Sequence, residues 1–398
     1  MYDIAIIGAG PAGLAMACML DAQGLKVAVI ERQPYEALAN PAYDGRDTAL
    51  THRTITTLDK LGILNRIPAA LDAPIRRARV LNGTSPYSLH FENDTSNPDG
   101  LLGYLVPNNL IRKASFDAFE ACKNVTLMTG VSVTNLTTDN TGGTLELSEG
   151  KRVHARLIVA ADSRFSETRR KMGISTRMND FGRVCIVCRM GHTDAHDETV
   201  YECFQYDQTL AVLPVTAREA SVVLTLPSDR ADAVMRMSDA EFNADITRRF
   251  EGRFGDMTIV GKKHAYPLVA VYADRFYARR FAVVGDAAVG MHPVTAHGFN
   301  FGILGAETLV AEIADAVANG LDFGSNAVLS RYNTAHRKAT RPLYLATNAI
   351  VKLYTDDRRP ARMARDALLR IGNALAPVRR IITGRITHIP SVPVRDAG

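Results

Sequence analysis

A chain of 398 residues with 46% apolar and 22% charged content can bury two cores, and it has neither the composition of a disordered chain nor that of a fibrous one. It holds no run of 18 apolar residues and no basic leader before its first strand, so no spanning helix is expected, and a cytoplasmic chain with reduced thiols is. The net charge of +5 is uneven: residues 331–398 carry 12 Arg and 2 Lys against 4 Asp.

Tyr2–Ile7 is a short apolar run, the pattern of a parallel strand buried on both faces. Gly8-Ala-Gly10-Pro11-Ala12-Gly13 follows, then a helical run over 14–23 that Gly24 stops. Val27–Ile30 is a second buried strand, ending in Glu31-Arg32, with the acid 18 residues after Gly13. The spacing predicts a dinucleotide-binding unit. Gly8 permits the turn, Gly10 lets a pyrophosphate approach the backbone, and Gly13 lets helix and sheet pack closely. Pro11 falls where a helix begins and its missing N–H costs nothing. The helix start faces the phosphates, and Glu31 can accept hydrogen bonds from ribose hydroxyls. This unit alone leaves NAD and FAD both open.

Further along, a helix is expected over 51–61, a strand pair over 76–91 turning at Asn82-Gly83, a loop over 93–103 and a helix over 106–122. Short strands follow over 125–136 and 143–147, and a buried strand over 153–160. From 183 to about 267 alternating strands dominate, at 184–190, 199–205, 210–214 and 220–226, with one helix over 238–250. Cys185 and Cys188 form a CxxC within the first of these. Positions three apart on a strand point to opposite faces, so strand cysteines are expected rather than a redox or metal pair.

A strand at 281–284 ends in Gly285-Asp286, followed by His292-Pro293 and by Gly298-Phe299-Asn300, which open a helix to about Asn319 with Gly320 as its stop. Asp286 lies where α/β sheets bind ligands, and the helix start offers unpaired N–H groups that would stabilise negative charge on a bound ligand. The plainer alternative is a loop that merely connects, with His292 satisfied by hydrogen bonds.

On these motifs, with Asp44-Gly45-Arg46, Ala49-Leu50 and the spaced Tyr332, Arg337, Thr347 and Arg362, the chain resembles the FAD-dependent aromatic hydroxylases over nearly its whole length. Within them it resembles the ubiquinone-biosynthesis branch, the UbiH/UbiF/COQ6 family. The resemblance implies an α/β fold: a Rossmann-like FAD-binding domain of the p-hydroxybenzoate hydroxylase type, an inserted antiparallel β-sheet substrate domain and C-terminal helices. The expected division is 1–75, 101–180 and 276–330 for FAD, 76–100 and 181–275 for the β-rich part, and 331–398 for a basic helical region. It makes the dinucleotide FAD, with NAD(P)H as electron donor, and adds Arg46, Arg112 and Asp162 to the FAD contacts. His292 and Pro293 would lie beside the flavin, and Leu213-Pro214 would form the far wall of the substrate pocket. The implied reaction is hydroxylation of a polyprenyl phenol by O2 through a flavin C4a-hydroperoxide, with no metal. Two departures, Ser163 where relatives have glycine and Val289 where they often have histidine, fit the family's UbiM branch.

Met363, Leu368, Ile371, Leu375, Val378 and Ile382 recur three to five apart among arginines, with Pro377 between. Two readings stand: a helix packed on its own domain with a solvated basic face, or a patch that meets an anionic membrane surface or another ubiquinone-biosynthesis protein. No nucleic-acid recognition motif accompanies the charge. A reductase of a prenylated substrate and a flavin-bound scaffold are the competing functions.

Overall fold

The structure, a computed structural model, describes residues 1–68, 73–83, 88–91, 100–205, 207–292, 297–355, 358 and 365. Its first elements are β1 (Tyr2–Ile7), α1 (Pro11–Asp21), β2 (Val27–Ile30), α2 (Tyr35–Ala39), β3 (Asp47–Leu50) and α3 (His52–Lys60). Next come β4 (Ala73–Ile75), β5 (Arg77–Asn82), β6 (Ser88–Phe91), β7 (Gly103–Pro107) and α4 (Asn108–Glu120). Then follow β8 (Val125–Met128), β9 (Val133–Thr138), β10 (Gly143–Leu147), β11 (Arg152–Ala160) and α5 (Glu167–Lys171). The second half runs β12 (Thr176–His192), β13 (Thr199–Gln205), β14 (Gln208–Thr216), β15 (Glu219–Pro227), α6 (Ser228–Met235), α7 (Asp239–Arg249) and β16 (Met257–Ala273). It closes with β17 (Tyr277–Ala278), β18 (Phe281–Val283), β19 (Val289–Gly290), α8 (Gly298–Ala318) and α9 (Asn326–Thr355).

The first sheet runs β17-β18-β11-β1-β2-β8, parallel from β18 to β8, with β9 and β10 appended to β11. Its central strands are fully buried, which is why they read as continuous apolar runs rather than alternating ones. Ile7 pairs with both Ile30 and Ala160, and Ala160 pairs with Val283. The residues that follow, Gly8, Glu31, Ala161 and Val284, therefore line up along one carboxyl edge. Helices α1, α4 and α8 cover this sheet with one core.

The second sheet runs β19-β16-β12-β15-β14-β13-β5-β6. It is antiparallel except that the β5–β6 hairpin joins β13 in parallel. One face is covered by α6 and α7 around Phe242, Ile246 and Phe250. The other carries Cys185, Val187 and Leu268. Cys185 and Cys188 thus lie on opposite faces, as their strand spacing requires. A third, three-stranded sheet, β3-β7-β4, packs against β14.

Three elements differ from the sequence reading. Helix α4 begins only at Asn108, because the apolar segment before it is strand β7. Two helices, not one, separate β15 from β16; α7 has the capping box of Ser238 and Glu241, and the shorter α6 has no side-chain cap. Finally, β12 and β16 are each 17 residues long and pair along most of their length. They run from the core of the first sheet, at Ala270 and Tyr272, into that of the second.

Candidate active site

The two helix beginnings singled out in the sequence converge. Helix α8 crosses α1 so closely that a Cβ on Gly302 would lie 3.3 Å from the Ala12 Cβ and 3.5 Å from the Gly285 Cα. Gly285 has φ +61°, which seats the turn after β18 against Ala12. Pro11 opens α1 and Gly298 opens α8, so both sets of unpaired helical N–H groups gather at the carboxyl edge of the first sheet.

The glycines of this corner fall into two groups. A Cβ at Gly8 would meet the Ala161 carbonyl oxygen at 2.5 Å, and one at Gly13 would meet the Gly8 carbonyl oxygen at 2.2 Å. Protein packing demands glycine at both. Gly10 and Gly298 are different: among the described residues, a Cβ at either would meet nothing within 4 Å. Gly10 has φ −69°, which any residue adopts. What these two glycines leave open is space at a helix start, the cradle that a phosphate and a flavin ring need.

Around that space stand the other expected residues. Glu31 accepts the Ala9 N–H at 2.7 Å and the Gln33 N–H at 2.9 Å, which fixes its carboxylate at the end of β2, next to the exposed Arg32. Arg112 on α4 donates to Gln33 at 3.2 Å and so reaches the same turn. Asp162 accepts from Ser166 at 2.9 Å and Thr168 at 3.1 Å, while its other oxygen is buried. Asp286 accepts from the Arg164 guanidinium at 2.9 Å, and Arg164 also donates to the Val269 carbonyl at 2.9 Å. Phe299 is half-buried in the first turn of α8. Asn300 is 1% exposed, and its side chain holds the β3–α3 turn: Oδ1 accepts the Thr51 N–H at 3.0 Å and Nδ2 donates to the Ala49 carbonyl at 2.9 Å.

The segment bearing Arg46 joins the two sheets. Gly45 has φ +76°, and a Cβ there would lie 2.7 Å from the His264 ring and 2.9 Å from Val187. Tyr266 donates to the Asp44 carbonyl at 2.7 Å, and the Arg46 guanidinium lies 5.3 Å from the Tyr266 ring centre. Below it, Arg189 reaches from β12 to Asp47 at 3.1 Å, and the Asp47 side chain is 1% exposed.

His292 is buried with its ring edge-on to Phe181, 4.9 Å between centroids. Burial, helped by the Arg183 charge, pushes its imidazole down to about 4, so it is uncharged at neutral pH. Pro293 lies outside the described residues. Pro214 is buried, and the half-buried Leu213 packs with Ala49, Ala73, Ile75 and Leu105 where the three-stranded sheet meets β14. Arg164, Thr51 and Gly45 received no role from the sequence. Gly45 stood inside a motif, but the partners that give all three meaning lie over a hundred residues away.

Residues 1–343 match a family model described as an FAD binding domain. The chain is 44% identical over 388 residues to the ubiquinone hydroxylase UbiM of Neisseria meningitidis, covering 97% of this chain and 84% of that one. It belongs to the ubiquinone hydroxylase family. UbiL of Rhodospirillum rubrum is 33% identical, over 95% of this chain and 88% of its own. In fold, the chain is similar to PqsL, a probable FAD-dependent monooxygenase from Pseudomonas aeruginosa: TM-score 0.77, 18% identity, 92% of this chain and 99% of that one. The p-nitrophenol 4-monooxygenase PnpA of Pseudomonas putida matches with TM-score 0.77 and 19% identity, over 98% and 99%. The chain is thus an FAD-dependent monooxygenase, and the open space at Gly10 and Gly298 fits that cofactor.

Proposed function

We propose that this hydroxylase adds oxygen to the aromatic ring of a polyprenyl phenol on the route to ubiquinone. The observation that carries the reading is the seating of Gly45 on Val187 and His264. It places the Arg46 segment of the nucleotide side directly on the apolar face of the antiparallel sheet, where a greasy ring can lie shielded from water. The names of the UbiM and UbiL relatives support the same substrate class.

Bound FAD supplies the electrons and the oxygen activation. On this reading Gly8, Gly10 and the α1 N-terminus take the pyrophosphate, Glu31 the ribose, and Asp286 the polyol chain. The α8 N-terminus at Gly298–Asn300 would hold the flavin's pyrimidine side, where its dipole would stabilise negative charge. His292, uncharged and against Phe181, serves as a wall rather than as an acid. Leu213 and Pro214 stand on the far side. NAD(P)H is the proposed reductant. The division of labour at 1–75, 101–180 and 276–330 against 76–100 and 181–275 belongs to this proposal.

No described helix is long and apolar enough to cross a membrane. The tail stripe at 363–382 lies outside the described residues apart from Arg365, so contact of the basic end with an anionic membrane surface or another pathway protein rests on its charge pattern. The test is reconstitution with FAD, reduction, admission of O2 and mass analysis of a prenylated phenol. Product gaining one oxygen atom supports the reading; O2 consumed with the phenol returned intact refutes it. Complementation of quinone-pathway hydroxylase deletions identifies the ring position.

A further inference from the structure

We propose that the Glu202 carboxyl receives the ring hydroxyl of the substrate, accepting its hydrogen bond and taking its proton as the ring is attacked. This rests on the hydroxylase reading above and names the residue that would activate its phenol.

Glu202 lies in the middle of β13, on the face of the second sheet turned away from α6 and α7. The register is unbroken there: Glu202 pairs with Ala211 and Val80, Ala211 with Val223, and Val223 with Val187. Side chains in register share a face, so Glu202 stands in the same row as Val187, the residue under Gly45. Leu213 is its diagonal neighbour on β14, and Val200 packs beside Leu213. The alternate residues of the strand, Tyr201 and Cys203, pack into the opposite core.

Glu202 is half-buried, and among the described residues none hydrogen-bonds or ion-pairs with its carboxyl. A carboxyl set among apolar side chains without a partner is costly, and a fold keeps one where something else completes it. Among the described residues, the titratable side chains on this face are Arg183, Cys185 and Arg189 from β12, Glu219 from β15 and His264 and Tyr266 from β16, with Tyr354 arriving from α9 onto Phe204 and Arg365 stacked on Tyr354; Arg183 donates to the Asp207 carbonyl. Arg189 is engaged by Asp47, and the Cys185 thiol, pushed up to about 12 by burial, is neutral. None of them neutralises Glu202, and burial pushes its carboxyl up to about 8. That brings it toward the range of a phenol, where proton transfer between the two is close to balanced.

The proton account closes. The phenol O–H bond breaks and the carboxyl O–H bond forms while the ring gives an electron pair to the incoming oxygen. The ring C–H proton then moves to oxygen as aromaticity returns. The proton held by Glu202 leaves with the second oxygen atom of O2 as water, whose two electrons come from the reduced flavin.

The test uses holoenzyme, photoreduced and then mixed with O2 and 2-prenylphenol, with product quantified over pH 6 to 9. For the wild type, hydroxylation rises through an ionisation near 8. The isosteric Glu202→Gln variant, with full FAD, is expected to lose about tenfold or more in hydroxylation rate and to lose the pH step. Glu202→Asp retains the pH step at a reduced rate, and this second variant keeps the test open should the first bind no FAD. Unchanged rate and pH profile in Glu202→Gln overturn the inference alone. A wild type that makes no product overturns the function reading, and this one with it.

Discussion

Asn300 Oδ1 accepts the backbone N–H of Thr51 at 3.0 Å, across 249 residues of chain. Through this bond and the one from Nδ2 to Ala49, the first turn of α8 is fixed to the β3–α3 corner. Thr51 is itself the N-cap of α3, so one amide side chain holds two helix starts in place. Replacing Asn300 with Ala leaves the buried Thr51 N–H unpaired, at a cost of roughly 1–3 kcal/mol, and removes a part-buried bond to the Ala49 carbonyl. A lower urea midpoint together with weaker FAD retention is expected. A variant with normal stability and full flavin content would show that the corner does not depend on this amide.

The glycines of the nucleotide corner should respond differently to the same small change. Gly13→Ala drives a Cβ into the Gly8 carbonyl and is expected to destabilise the apoprotein. Gly10→Ala meets no described residue within 4 Å, so the apoprotein should melt as before while FAD affinity falls by about tenfold or more, near 1.4 kcal/mol. Differential scanning fluorimetry with and without FAD separates the two. Equal loss of apoprotein stability in both would contradict the division.

Arg189 and Asp47 form an ion pair buried between β12 and β3. Burial pushes the Asp47 carboxyl up and the Arg189 charge opposes it, so the pair is held against a desolvation cost. Asp47→Ala strands the guanidinium, with Glu219 only at 3.9 Å, and is expected to cost about 3–5 kcal/mol. The double variant Asp47→Ala with Arg189→Met should recover part of that loss in equilibrium unfolding. Additive losses would mean the two charges are not coupled.

Stability should fall on the acid side through buried histidines. His336 is 1% exposed, stacked on Tyr332 and in contact with Gly305, and burial pushes it down to about 3. Below the ordinary histidine value of about 6.5 the unfolded chain binds a proton that the folded chain refuses, so stability is lost as pH falls from there toward 3. His292 adds the same sign down to about 4. Glu202 acts oppositely: raised to about 8, it contributes stability below its ordinary value that is lost as pH rises toward 8. Unfolding midpoints measured from pH 4.5 to 8 should therefore flatten on the acid side in His336→Gln and on the basic side in Glu202→Gln.

The parts of the fold that were legible from sequence are those whose determinants are local. β1, α1 and β2 follow from a buried apolar run, Pro11 and Gly24, and α8 from Gly298 and Gly320. The opposite faces of Cys185 and Cys188 follow from strand period alone. β7 was hidden because it is five residues long and its last two, Val106 and Pro107, read as the opening of α4. β16 was hidden because Lys262, Lys263 and His264 interrupt its middle, and only pairing with β12 holds those residues extended. In the site, Gly10 and Gly298 could be marked from their motifs. The roles of Thr51, Arg164 and Glu202 could not, since each depends on a partner or a face supplied by another part of the chain.

The ribbon of β12 and β16 joins the two cores, and its pairing shifts register between Asp180 and Val184 and again between Val187 and Arg189. Parting the two cores would still have to tear the paired stretches on either side of those shifts, so the ribbon resists jaw-like opening. A substrate of the class proposed above would then enter past the rim of the site with this ribbon intact.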